Sequence, residues 1–179
     1  MNDFCTPQKN ILQLGFREGM RVADIGTGSG HYALALSPIV GPEGRVYAID
    51  VQEGVLKRLK QQAIERGMAN IETIWADVER PKGTRFRDAI LDGAVVSNVL
   101  FQFEHKERVV RELKRVLKPG GKVLVIDWTH ECGGMGPDRT SVVPEHVAEK
   151  LFLDEGFYKE KSFRAGQYHY ALVFSKPQC

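Results

Sequence analysis

Two acids and three glycines stand at intervals that suit a bound nucleoside. An apolar run, Arg21 to Ile25, leads into Gly26, Gly28 and Gly30, with Thr27 between the first two and Asp24 just ahead of them. Glycines in alternation let a ligand approach the backbone N–H groups of a helix N-terminus, where side chains would block access. A second acid, Asp50, closes the next apolar run, Val46 to Asp50. It lies about 20 residues on, the distance expected of a ribose-binding carboxylate, and a carboxylate accepts from both ribose hydroxyls at once. A dinucleotide fingerprint needs its third glycine one residue later, where this chain has His31. The spacing therefore argues against a nicotinamide dinucleotide and for a ligand whose polar tail lies against exposed backbone amides. Asp24 also has a plain reading, a strand-end acid bonding its own loop. Asp77, taken alone, reads equally as a turn or cap residue.

The elements that must position these residues alternate. Short β-branched runs at 21–25, 45–49, 71–75, 90–96 and 122–127 are separated by helical patterns, which predicts βα units around a parallel sheet. Over 53–66, Leu56, Leu59, Ala63 and Ile64 recur on one face, and Gly67 ends the helix. The next helix shows Val109, Val110, Leu113, Val116 and Leu117 before Pro119 and two glycines. After a last helix near 144–155, stopped by Gly156, two strand-like segments, 157–163 and 168–175, flank a turn at Ala165 and Gly166. They predict a terminal antiparallel hairpin. Trp75, in the third strand, reads as core rather than as a stacking platform, although the alternation does not say which face it occupies.

The 179 residues fit one domain over 1–179, with 1–20 as a short N-terminal helical segment. A formal charge of +2 without a basic block interleaved with aromatics gives no argument for nucleic acid. The charges over 104–118 read as the solvated face of a helix. Cys5, Cys132 and Cys179 are too widely spaced for a disulfide framework or a metal site, so no metal is expected. The first residues lack the pattern of a signal peptide and no apolar run is long enough to cross a bilayer, so a soluble, reduced, cytoplasmic protein is expected.

Beyond Asp24 to Gly30 and Asp50, the chain carries Trp75, Ala76, Asp77 and Val78 after the third strand, Leu91 to Asn98 as a fourth strand, and Leu113 to Asp127 as helix, turn and fifth strand. In this order and at these intervals the segments resemble the class I S-adenosylmethionine-dependent methyltransferases, and the pattern is similar to the small-molecule enzymes of quinone biosynthesis. The resemblance implies an α/β, Rossmann-like, doubly wound seven-stranded sheet, mostly parallel with an antiparallel C-terminal hairpin. It implies S-adenosylmethionine as cofactor and methyl transfer to a small organic acceptor. The cofactor would meet Asp24, Gly26, Thr27, Gly28 and Gly30 in the loop, and Asp50 at the ribose, with Val51 against the adenine face. The Asp77 carboxylate and the Val78 N–H would meet the adenine edge, and Asn98, beside Ser97 and Val99, the methionine side. An RNA or protein acceptor is the alternative, because the glycine loop and Val40 to Val46 also resemble tRNA-adenine and protein-repair enzymes. A protein that binds S-adenosylmethionine without catalysis is another.

Methyl transfer from a sulfonium is an in-line displacement that relies on proximity and alignment. A hydroxyl or carbon-acid acceptor also needs a base, and His130, His31 and His105 are the candidates near the carboxyl edge of the sheet. Acceptor selection is expected in Trp128 to Arg139, where Gly133, Gly134 and Gly136 permit movement, with Trp128 and Arg139 as contacts. Tyr168 and His169 read as packing and surface residues. Only about one helix, Cys5 to Leu14, precedes the first strand. An open pocket is therefore expected, which permits a bulky acceptor, completion by a second copy in a homodimer, or weak turnover.

Overall fold

The computed structural model describes residues 6–130 and 136–178. The β-branched runs become seven strands: Arg21–Ile25 (β1), Arg45–Asp50 (β2), Ile71–Trp75 (β3), Leu91–Ser97 (β4), Leu117–Trp128 (β5), Tyr158–Gly166 (β6) and His169–Ser175 (β7). They form one sheet in the order β3-β2-β1-β4-β5-β7-β6. Strands β1 to β5 pair in parallel, β7 runs antiparallel to β5, and β6 antiparallel to β7. From β1 the chain builds outward through β2 to β3, then returns to β4 on the other side of β1. Such a reversal leaves a crevice at the carboxyl ends of the strands, where ligands bind in open α/β sheets.

Helices cover both faces. Pro7–Ile11 (α1), His31–Val40 (α2) and Glu53–Glu65 (α3) lie over one face, where Ile11, Leu36 and Leu59 pack on Val22, Val46 and Leu124. Lys106–Val116 (α4) and Glu145–Asp154 (α5) lie over the other, packing Val110, Leu113 and Phe152 on Ala94, Val123 and Leu172. Among the described residues no helix is long and apolar enough to cross a membrane.

Several local expectations are corrected. Ile64 leaves the buried stripe of α3 and is 65% exposed, while Leu56, Leu59 and Ala63 are buried. The terminal hairpin turns at Gln167 and Tyr168, not at Ala165 and Gly166, because an irregularity between Arg164 and Gly166 carries the strand further. The strand expected at 122–127 begins at Leu117, with a register shift where it passes Pro119 and the two glycines. The charged face of α4 is not wholly solvated: Glu112 is 6% exposed and accepts from Arg115 Nη2 at 2.7 Å, and its Oε1 also takes the Thr84 hydroxyl. Trp75, expected in the core, is 59% exposed, since β3 is an edge strand whose alternation does not say which face is covered.

Candidate functional site

The carboxyl ends of β1, β2 and β4 open into a cavity of about 500 Å³, within the range of small-ligand sites. Asp24 enters it from the end of β1 and is 2% exposed. Its Oδ2 accepts the Thr27 hydroxyl at 2.7 Å and the Ala33 N–H at 3.0 Å, which ties the glycine loop to the first turn of α2. Burial pushes the Asp24 carboxyl up to about 6 against the opposing pull of these hydrogen bonds, with Asp50 adding to the rise. The folded state thus holds this proton more tightly than the unfolded chain, whose carboxyl keeps its ordinary value of 3.8. The resulting stabilisation is fully present below that value and is lost as pH rises through about 6. Asp24→Asn should therefore flatten part of the decline in denaturation free energy between pH 4 and pH 6. Asp127, buried and also pushed up to about 6, keeps the remainder, and an unchanged slope would remove Asp24 from this account.

Asp50 ends β2 and is 9% exposed. One oxygen accepts the Gly28 N–H at 3.0 Å and the other the Gln52 N–H at 2.9 Å, so the carboxylate fixes the crest of the glycine loop. The three glycines serve different ends. At Gly26 a Cβ would lie 2.5 Å from Val99 Cγ2, and at Gly30 2.3 Å from Leu59 Cδ1, so packing excludes a side chain at both. Gly30 does not line the cavity. Gly28, with φ of +49°, would meet only a backbone oxygen at 3.9 Å, and the space over it is open. Its left-handed backbone favours glycine, and the open space above it leaves room for a ligand to approach the loop.

On the far wall, Asp77 accepts the Glu79 N–H at 3.0 Å and Arg80 Nε at 3.1 Å, while Val78 is buried. Both its turn role and its place on the cavity are therefore real. Val51, 57% exposed, lines the same wall. Asn98 follows β4 in a left-handed conformation, φ +55°, held by its N–H to the Ile126 carbonyl. Its side-chain oxygen is buried without a hydrogen-bond partner, and buried polar atoms are rarely left so. A left-handed residue with an orphaned acceptor on the cavity wall is a candidate to receive a ligand's donor.

The candidate bases separate. His31 lines the cavity from the start of α2. His105 precedes α4, its N–H bonded to Glu79, and does not line the cavity. His130 and Arg139 are exposed and, with Trp128, lie outside the lining. Residues 131–135 of the acceptor segment, Gly133 and Gly134 among them, lie outside the described residues, as do Cys5, Cys179 and the rest of 1–5. His169, read as an ordinary strand residue, is 4% exposed and its Nε2 has no partner. Its ring lies 4.2 Å from that of Trp128, and burial lowers its basicity. The pairing of β7 with β5 produces this contact, and no local motif announces it.

Fold and cavity together define a class I methyltransferase. A model of the methyltransferase domain matches residues 16–164, and the chain belongs to that family, whose cofactor is S-adenosylmethionine. The structure of an S-adenosylmethionine-dependent methyltransferase from Aquifex aeolicus superposes with a TM-score of 0.87 at 30% identity, covering 94% of this chain and 88% of that one. The ubiquinone/menaquinone biosynthesis C-methyltransferase UbiE of Pseudomonas entomophila is 39% identical over 116 residues, 64% of this chain and 44% of that protein. The match thus spans less than half the length of that relative. The [4+2]-cyclase SpnF shares the fold, with a TM-score of 0.81 at 18% identity over 96% of this chain and 79% of its own.

Proposed function

We propose that this chain transfers a methyl group from S-adenosylmethionine to a small organic acceptor, an aromatic ring of the quinone-precursor class. The observation that carries the reading is the convergence of Asp50, the open face of Gly28 and the orphaned Asn98 oxygen on one cavity. The likeness to C-methyltransferases of quinone biosynthesis supports the acceptor class. S-adenosylmethionine, when bound, supplies a methyl group on a sulfonium whose departure leaves a neutral thioether. Asp50 holds the ribose hydroxyls, Gly28 lets the ligand reach the loop, and Asp77, the Val78 N–H and Val51 frame the adenine. Asp24 and the Asn98 oxygen accept from the methionine ammonium, with Gly26, Thr27 and Gly30 shaping the loop beneath it.

The acceptor side follows from strand register. Ser97 pairs with Ile126, and Trp128 with His169, so all four share one face of the sheet. Neighbouring strands lie roughly 4.8 Å apart and residues rise about 3.3 Å along a strand, so Trp128, one strand over and two residues past Ile126, lies about 8 Å from Ser97, and His169, two strands over, about 12 Å. A planar ring fits that interval. His169, like Trp128, lies outside the cavity lining, so it serves as base for a carbon acceptor that seats against the Trp128 ring, its unpartnered Nε2 taking the proton released as the new carbon–carbon bond forms; His31, which lines the cavity, is the second choice. Arg139 is suited to an anionic substituent, while His130 faces solvent and His105 stands ahead of α4 without a side-chain cap bond. His169→Gln should lower turnover by roughly 10²–10⁴-fold and leave affinity for S-adenosylhomocysteine unchanged. Full activity in that variant with a loss in His31→Ala would transfer the role.

The function itself is tested with methyl-labelled donor and cell extract divided into metabolite, RNA and protein fractions. Label is expected in the metabolites. Transfer to RNA or protein would establish the alternative acceptors, and no transfer a binding protein without catalysis. A cytoplasmic setting, and a homodimer in which a second copy closes the acceptor side, belong to the same proposal.

A further inference from the structure

Beside the adenine wall lies a second cleft, about 370 Å³, that shares Val51, Ala76 and Asp77 with the first cavity. Its distinctive lining is one aromatic and three cations: Trp75, Arg80, Lys82 and Arg85. The Trp75 ring is exposed but not free, since its Nε1–H donates to the Val51 carbonyl at 2.9 Å. An indole fixed by its edge and open to solvent is a stacking surface, with little side-chain entropy left to lose when a flat ligand covers it.

The backbone that carries the cations is fixed as well. Thr84 is tied to Glu112, Phe86 packs on Tyr47 with ring centroids 4.8 Å apart, and Arg115 Nη1 donates to the Phe86 carbonyl at 2.8 Å. The segment is thus anchored on α4 and on β2 while Lys82 and Arg85 stand out from it, both exposed and both with positive φ, +54° and +59°. Arg80 is held by Asp77. Neither Lys82 nor Arg85 has an ion-pair partner among the described residues. Asp88, whose carboxyl feels the Lys82 charge, is held by Arg115 at 2.6 Å. Two unpaired cations on strained backbone beside a fixed indole are arranged for a flat ring that carries phosphate.

We propose that this cleft binds a nucleoside phosphate, with its base on Trp75 and its phosphate between Lys82 and Arg85, separate from the S-adenosylmethionine cavity. The unit has two sources, a free mononucleotide or one residue of an RNA strand, and both present the same base and phosphate. Occupancy next to the adenine wall would couple the second ligand to cofactor binding through Val51 and Asp77. This inference does not depend on the identity of the methyl acceptor.

The test is quenching of tryptophan fluorescence by cytidine and guanosine monophosphates, with and without saturating S-adenosylhomocysteine. Saturable quenching is expected in both conditions, weakened by salt. Trp75→Phe should remove most of the signal. Lys82→Glu with Arg85→Glu should weaken nucleotide binding at least ten-fold and leave S-adenosylhomocysteine binding, followed by calorimetry, near native. A tetranucleotide that binds more than ten-fold tighter than either monophosphate identifies the RNA source, and equal affinity the free nucleotide. Quenching abolished by S-adenosylhomocysteine, no saturable quenching at millimolar nucleotide, or full affinity in the charge-reversed variant would overturn the proposal.

Discussion

Asp50→Ala is expected to weaken binding of S-adenosylmethionine by roughly 10- to 150-fold, about 1.5–3 kcal/mol, the range for hydrogen bonds to a charged group. Calorimetry measures it directly. The carboxylate also holds the Gly28 and Gln52 amides, so the variant loosens the loop as well as losing its ribose partner. A cycle with the 2′-deoxy analogue separates the two effects. If the ribose hydroxyls are the partners, the native protein discriminates against the deoxy ligand and the Asp50→Ala protein largely does not. Equal discrimination by both would mean that Asp50 acts only on the loop. Undiminished affinity of the variant for the natural ligand would overturn the ribose assignment itself.

Gly30→Ala and Gly28→Ala should fail in opposite ways. At Gly30 the new methyl lies 2.3 Å from the end of Leu59, a side chain only 1% exposed, and φ is +79°. Strained backbone and overpacking each cost about 1–3 kcal/mol, together a large share of the 5–15 kcal/mol that holds a typical domain. Unfolding well below the native midpoint is the expected result, and Leu59→Ala in the same chain should recover part of the overpacking loss. Gly28→Ala meets no side chain and bears only the backbone cost, roughly 1–2 kcal/mol. It should stay folded and lose cofactor affinity. Thermal denaturation beside cofactor titration reads both variants. A stable Gly30→Ala, or a Gly28→Ala that binds normally, would contradict the division of roles.

The strands β1 to β4 were legible because each is a short β-branched run closed by an acid, a polar residue or a glycine, and those closures are the residues that line the cavity. Asp24 and Asp50 could be located in the sequence for that reason, and Asp77 and Asn98 through the family resemblance. The packing that needs distant partners was not legible. Nothing near Gly26 or Gly30 announces Val99 or Leu59, so three glycines looked alike when Gly28 has open space above it and the other two are pressed by side chains. Trp75 is apolar by type and exposed by position, a consequence of strand order. His169 gained its setting from antiparallel pairing with Trp128, some forty residues away in the chain. The Glu112–Arg115 pair looked like solvated charge because its third member, Thr84, lies in a different connection.

An open sheet has two margins, and here they differ. The β6 margin breaks its ladder twice, between Lys159 and Lys161 and between Arg164 and Gly166, and its charges are engaged, Lys159 with Glu149 and Glu160 with Lys122. A foreign strand arriving there finds interrupted donors and side chains already committed, the arrangement by which natural sheets resist intermolecular growth. The β3 margin keeps an unbroken register but is only five residues long. Neither end is a good template for endless strand addition, so aggregation by sheet extension is opposed at both ends of the sheet.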